Sequence, residues 1–274
     1  MHAAVSQSVD VEIRSVRRNK QNWKKTSRDI GTAVEVVRTI PTTSLADVGP
    51  VTFELDEVTP RARSERIGRV VNLVVAVLAL VVLSPLMLLV ALAIKLTSRG
   101  PIFYRQTRVG LDRRSRRHSS HERRRHDHGG KVFEMYKFRT MRADAEIDGR
   151  AVWAQKGDPR VTPIGRILRR ARIDELPQLY NVIRGEMNVV GPRPERPTIF
   201  ARLRADIPEY HMRQRVKPGI TGWAQINQAY DACVDDVRRK VRYDLEYLQR
   251  QGLVEDLRIM SLTLPVMLFR RGGW

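Results

Sequence analysis

The amino-acid sequence predicts a mostly α-helical chain with a small β element, an α+β fold, held on a membrane by a re-entrant helix-break-helix anchor. Three observations carry this expectation. One is an apolar run from Val70 to Ile94, another is helical periodicity in the last third, and the third is one short alternating segment between them. The 274 residues include 50 Lys+Arg against 30 Asp+Glu, a formal charge of +20, which points to an anionic partner: nucleic acid, a lipid surface or phosphorylated substrates. The single cysteine, Cys233, excludes an internal disulfide framework. A hydrophobic share of 42% excludes wholesale disorder, while an aromatic share of 6% weighs against base-stacking platforms.

Residues 1–65 carry mixed charge without sustained periodicity and read as a polar, disordered tail with a short helix near Ile30 to Ile40. The following run, VVNLVVAVLALVVLSPLMLLVALAI, holds twenty-five residues and no charge. A soluble core helix is rarely apolar on all faces for that length, so lipid is the expected solvent. A signal peptide is not expected, because sixty-nine residues precede the run and the first thirty contain no apolar h-region.

As a straight helix the run would measure about 37 Å, enough to cross roughly 30 Å of hydrocarbon. Ser84-Pro85, however, lies just past its midpoint. Pro85 lacks an N–H and its ring crowds the carbonyl of Val81, so a bend is expected there, and the Ser84 hydroxyl can satisfy a freed backbone group. Four arginines (Arg61, Arg63, Arg66, Arg69) precede the run and four basic residues (Lys95, Arg99, Arg105, Arg108) follow it, leaving no positive-inside bias for a single crossing. A hairpin over residues 66–99 with both ends on the cytoplasmic face resolves this, and makes the protein monotopic.

Residues 100–274 are then the cytoplasmic domain. Residues 112–130, rich in Arg and His, form a basic insert expected to lie against anionic headgroups. Its His121 and His126 stand at i, i+5 and cannot share the helix face that an HExxH zinc site needs. Residues 131–141 alternate as a strand does. Asp174 suits a helix N-cap, with Pro177 in the first turn, Leu176, Leu179, Tyr180 and Ile183 on one face, and Gly185 as the stop. Val237, Val241, Leu245 and Leu248 make an amphipathic stripe. From Leu257 to Phe269 the chain is apolar again, though Pro265 interrupts it and it is too short to span, and Arg270, Arg271 and Trp274 are residue types that settle at headgroup level. Such segments are expected as interfacial helices, with packing of the last one onto the domain as the alternative, and the two are compatible.

A series of ordered motifs then becomes specific: Ser84-Pro85, Gly100-Pro101-Ile102-Phe103-Tyr104-Arg105-Gln106, Arg108-Val109-Gly110, Lys137-Phe138-Arg139-Thr140-Met141, Asp174-Glu175-Leu176-Pro177-Gln178, Asn181-Val182, Gly185-Glu186-Met187, Gly191-Pro192-Arg193-Pro194 and Lys217-Pro218-Gly219-Ile220-Thr221-Gly222-Trp223. From about Arg66 to the C-terminus the chain resembles the bacterial sugar transferases, monotopic polyprenyl-phosphate phosphoglycosyl transferases. Two departures stand out. Asn72 occupies a position where the family usually has an acid, and the 112–130 insert replaces a short Gly-containing turn.

The resemblance implies a reaction. A nucleotide-diphosphate sugar, expected as a UDP-hexose, gives its phosphosugar to undecaprenyl phosphate and releases UMP, initiating exopolysaccharide, O-antigen or a related glycan. It implies Mg²⁺ as cofactor, Asp174 as nucleophile in a two-step ping-pong route, and Glu175 as catalytic partner and metal ligand. Lys137, Arg139 and Arg193 become the expected phosphate binders, with Arg172 and Asp158 as further substrate contacts. The expected partners are the sugar nucleotide, undecaprenyl phosphate and anionic membrane lipid at the bacterial inner membrane, with the site on its cytoplasmic face. A homodimer is compatible with this. No nucleic acid is expected, since no recognition-helix, zinc-finger or RNP-type signature appears. The alternative, a catalytically silent polybasic membrane adaptor, is opposed by the intact Asp174-Glu175 pair.

Overall fold

The computed structural model describes residues 58–112, 129–145, 158–228 and 234–269, all within one compact unit, Glu54–Trp274. The expected tail helix near Ile30 to Ile40, most of the basic insert, and Arg270, Arg271 and Trp274 lie outside the described residues.

Helix α1, Glu65–Thr97, contains the whole apolar run. Ser64 caps it by accepting from the Ile67 N–H, and Glu65 complements the first turn. Where a break into two helices is expected, the chain stays one helix through Pro85. The reason is local. Pro85 orphans the Val81 carbonyl, and the Ser84 hydroxyl donates to that same oxygen at 2.8 Å, so the lost bond is replaced without leaving the helix. Only 11% of the most apolar window is buried; Val82 is 73% exposed and Leu88 72%, as a lipid-facing helix requires. This is one helix long and apolar enough to anchor in a membrane.

Both ends of α1 are fastened to the same folded unit. Near its start, Arg69 donates to the Val182 and Ile183 carbonyls. Asn72 accepts from the Val189 N–H at 2.6 Å and donates to the Gly68 carbonyl at 2.7 Å, so an amide here serves both as donor within the helix and acceptor across to the domain. Ala76 packs with Phe133, Met135, Leu179, Val182 and Met187. Near its far end, Val90 and Ile94 pack with Phe138 and Leu168.

Strands β1, Phe103–Val109, and β2, Val132–Phe138, pair antiparallel with Phe103 opposite Phe138 and Val109 opposite Val132. Phe133 and Met135 point into the core, and Lys137 continues that alternation. Phe103 and Phe138 stack at 5.4 Å. Helix α2, Pro163–Arg170, begins at the Thr162 cap, whose hydroxyl accepts from Gly165 N–H at 3.0 Å, with proline in the first turn. A Cβ on Gly165 would sit 2.0 Å from the Thr140 carbonyl oxygen, so only glycine lets α2 approach the end of β2 this closely.

Next come a 3-10 turn, Ile173–Glu175, helix α3, Gln178–Arg184, and strand β3, Asn188–Val190. Helix α4, Pro197–Asp206, and a 3-10 segment, Pro208–Arg215, lead to β4, Gly219–Thr221, which pairs parallel with β3. Helices α5, Trp223–Asn227, α6, Val234–Arg250, and α7, Leu253–Phe269, complete a mostly helical unit with two small sheets. The stripe on α6 is buried at Val237, Val241, Leu245 and Leu248, each worth about 1.5–3 kcal/mol. Helix α7 continues through Pro265. In α7, Ile259 is buried and the Thr263 and Thr221 hydroxyls lie 2.8 Å apart, whereas Val254 and Leu257 are exposed.

Candidate active site

Asp174 and Glu175 lie in the 3-10 turn that leads into α3, not at the helix N-cap where the spacing had placed Asp174. A capping Asp174 would accept from the N–H of the second or third helical residue; Pro177 has none, and the Leu176 N–H is given to the Ile173 carbonyl. The chain enters instead through Arg172 in the left-handed region (φ 57°), the one non-glycine residue with positive φ among those described. The Glu175 and Leu176 amides bond the Arg172 and Ile173 carbonyls, tightening the turn. Gly185 (φ 76°) ends α3 as expected.

Asn181 locks this turn against the sheet. Its Oδ1 accepts from the Tyr136 N–H at 3.0 Å, and its amide nitrogen donates to the Glu134 carbonyl at 2.7 Å and to Glu186 at 2.8 Å. With β2 held to α3 in this way, Lys137 reaches Glu175 Oε1 at 3.1 Å. Arg193, in the turn after β3, donates to both oxygens of Glu175 as a fork, at 2.5 and 3.3 Å, and Arg172 approaches at 3.8 Å.

Lys137, Arg172, Asp174, Glu175 and Arg193 are thus brought together, two carboxylates against three cations. The Arg193 and Arg172 side chains remain 28% and 32% exposed, so the cluster opens to solvent on their side. Buried Oδ1 of Asp174, by contrast, has no hydrogen-bond partner. Burial, and then the Glu175 charge, push the Asp174 carboxyl above its ordinary 3.8, outweighing Lys137, Arg193 and Arg169. Burial pushes Glu175 the same way, but Arg193, Lys137 and Arg172 prevail and hold it well below 4.5. Burial lowers Lys137 against the pull of Glu175. The cations thus prevail over burial at Glu175 but not at Asp174.

Two other candidates are placed elsewhere. Arg139 is buried and donates to the Ser98 carbonyl and hydroxyl and the Arg99 carbonyl at 2.6–2.9 Å, strapping down the exit of α1. Asp158 forms a fork with Arg160, at 2.9 and 2.6 Å, whose hydrogen bonds bring its carboxyl down to about 2. Ser84 and Pro85 lie in the outlying middle of α1, away from the cluster.

Other residues hold the Arg193 turn and were not expected. Arg108 on β1 donates to Glu195 at 2.9 Å and to the Pro194 carbonyl at 3.0 Å. Arg213, with a fully buried side chain, donates to Asp244 at 2.6 Å, the Tyr210 hydroxyl at 2.7 Å and the Arg193 carbonyl at 3.0 Å. The sequence did carry a signal for this pair. Asp244 stands three residues after Val241 and four before Leu248, on the apolar stripe of α6, where an acid requires a buried partner.

Among the described residues no group of three or more His, Cys, Asp or Glu could form an all-protein metal cage. The adjacent carboxylates, one with an orphaned oxygen, fit the sparser pattern of Mg²⁺, which uses one or two carboxylates plus substrate phosphates.

A family model described as bacterial sugar transferase matches residues 63–270. An Aeromonas hydrophila protein named UDP-N-acetylgalactosamine-undecaprenyl-phosphate N-acetylgalactosaminephosphotransferase is 41% identical over 202 residues, covering 74% of this chain and 44% of its own length. A Komagataeibacter xylinus undecaprenyl-phosphate glucose phosphotransferase is 44% identical over 75% of this chain and 36% of its own. A Caulobacter vibrioides UDP-glucose:undecaprenyl-phosphate glucose-1-phosphate transferase is 42% identical over 76% and 72%. The chain therefore spans less than half the length of two of these relatives and most of the third.

Proposed function

The chain belongs to the bacterial sugar transferase family, and from that premise we propose that it transfers a phosphosugar from a UDP-sugar to undecaprenyl phosphate through a covalent aspartyl intermediate. The observation that carries the reading is the buried, unpartnered Asp174 oxygen beside a cation cluster that opens to solvent. In the first step the Asp174 carboxylate attacks the sugar-bearing phosphorus; a new O–P bond forms, the P–O bond to UMP breaks, and UMP leaves with the electron pair. In the second, an oxygen of the lipid phosphate attacks the same phosphorus and the aspartyl O–P bond breaks, restoring the carboxylate.

Lys137, Arg193 and Arg172 bind the diphosphate and oppose the repulsion between two anions. Until the donor arrives, Glu175 holds these cations in place. Asp174 and Glu175 would hold Mg²⁺ together with the donor's phosphates, Glu175 giving up part of its contact with the cations. The metal supplies neutralisation of diphosphate charge. A UDP-hexose donor and a role in starting exopolysaccharide or O-antigen assembly are part of this proposal.

Purified protein given UDP-sugars, undecaprenyl phosphate and Mg²⁺ is expected to release UMP, and chelation of the metal to suppress it. A protein that gathers anionic lipid but releases no UMP from any of a panel of UDP-hexoses and UDP-N-acetylhexosamines would be the adaptor instead.

The anchor is proposed to be re-entrant, placing the site on the cytoplasmic face of the inner membrane. Asn72 and Ile94 both grip one polar unit, yet along a straight crossing helix they would stand about 33 Å apart, roughly the hydrocarbon thickness. Topology reporters fused to each terminus are expected on the same side; reporters on opposite sides would contradict the hairpin.

A further inference from the structure

A cavity of about 820 Å³ lies beside the first turns of α1, in the size range of ligand sites. Among the described residues, Arg63, Arg66, Arg69 and Lys217 line it against one acid, Glu65. Two of these cations are fixed by the fold: Arg63 pairs with Asp256 at 3.1 Å, and Arg69 is bound to the carbonyls at the end of α3. Leu111 and Val216 supply apolar wall.

The cavity is not the Asp174 site. Its Arg69 is attached at Val182 and Ile183, near the C-terminal end of α3, whereas Asp174 precedes the N-terminal end, and none of Lys137, Arg172, Glu175 and Arg193 lines it. It also sits where α1 changes solvent. Val70, which lines the cavity, is the first residue of the uncharged run and is 59% exposed, and Ile67 one turn earlier is 58% exposed. A cationic hollow at that level of the helix faces the phosphate layer of a bilayer.

We propose that this cavity is a second anion site that takes a lipid-borne phosphate, seating the headgroup between Arg66 and Lys217 with its acyl or prenyl chain running along α1. The proposal uses the membrane anchor of the preceding reading but not its chemistry, so a thermal measurement tests it without turnover. The whole chain in neutral detergent is titrated with phosphatidylglycerol, phosphatidylcholine or undecaprenyl phosphate while its unfolding midpoint is followed. Phosphatidylglycerol is expected to raise the midpoint saturably and phosphatidylcholine not.

Arg66 is exposed, so Arg66→Glu keeps the fold, and it should raise the half-saturating concentration by about tenfold or more. Arg66→Gln with Lys217→Gln should act in the same direction, and Asp174→Asn should titrate as wild type. If the response to undecaprenyl phosphate is lost along with that to phosphatidylglycerol, the cavity holds the acceptor's phosphate; if only the phosphatidylglycerol response is lost, it holds bulk phospholipid. Equal responses to both phospholipids, or wild-type titration of the Arg66 variants, would overturn the proposal.

Discussion

Replacing Asp174 by asparagine is expected to lower transfer by on the order of 10³-fold or more, and yet to leave the protein at least as stable as wild type at neutral pH. Asparagine keeps the shape but offers an amide in place of the attacking carboxylate. The stability follows from the direction of the pKa. Burial and the Glu175 charge raise the Asp174 carboxyl above 3.8, so the folded state binds its proton more tightly than the unfolded chain does. Its contribution to stability is complete below 3.8 and is lost as pH rises through the raised folded value. At neutral pH the ionised carboxylate is thus a cost to the fold, which the variant removes.

Unfolding midpoints of both proteins across an acid-to-neutral series would check this. The wild type should gain on the variant as pH falls. In parallel, wild type incubated with a UDP-sugar alone should carry a sugar-phosphate on residue 174 by mass spectrometry, and the variant should not. A variant that still turns over would remove Asp174 from the nucleophile's role. A variant much less stable at neutral pH would mean that its charge supports the fold.

Much of this architecture was legible in the sequence because local chemistry decided it. The alternation of Phe133, Met135 and Lys137 put a lysine on the buried face of β2, and the Val237 to Leu248 stripe of α6 is buried as spaced. Helix continuity through a proline rests on a compensating neighbour and is compatible with the kink that the proposed hairpin uses. At Pro85 the Ser84 hydroxyl takes over the orphaned carbonyl, so the residue that was expected to ease a break preserves the helix. The pairing of β3 with β4 was not foreseen, because each is three residues long and a parallel pair leaves no hairpin signal in the chain. Around Asp174 and Glu175, Arg160, Arg166, Arg169, Arg170 and Arg172 stand near the pair in the sequence. Only Arg172 among those within the 160–172 stretch reaches Glu175, while Arg160 pairs with Asp158 and Arg169 donates to Thr140. Lys137 and Arg193, distant in the chain, come close through strand register and a Pro-bounded turn, which spacing alone does not encode.

The second large effect concerns Arg213 and Asp244. Asp244→Asn is expected to destabilise the protein by about 3–5 kcal/mol, since Arg213 cannot shed its charge and would be left buried without a counter-ion. Such a loss alone would describe any buried ion pair. What makes the pair matter to the reaction is its third partner, the Arg193 carbonyl, to which Arg213 donates at 3.0 Å. Through that bond the pair fixes the turn whose guanidinium holds Glu175, so Arg213 is a positioning residue. A double replacement, Arg213→Met with Asp244→Leu, separates the two roles. Removing both charges in favour of apolar groups of similar size should recover most of the stability, less about 1 kcal/mol for the lost Arg213–Tyr210 hydrogen bond. It removes the bond to the Arg193 carbonyl while Arg108 still holds Pro194, so the KM for the sugar nucleotide should rise and turnover should remain depressed in a well-folded enzyme. Recovery of stability and of full activity together would reduce the pair to a packing element. Recovery of stability without activity would identify the deepest arginine in the domain as the support on which the exposed one depends.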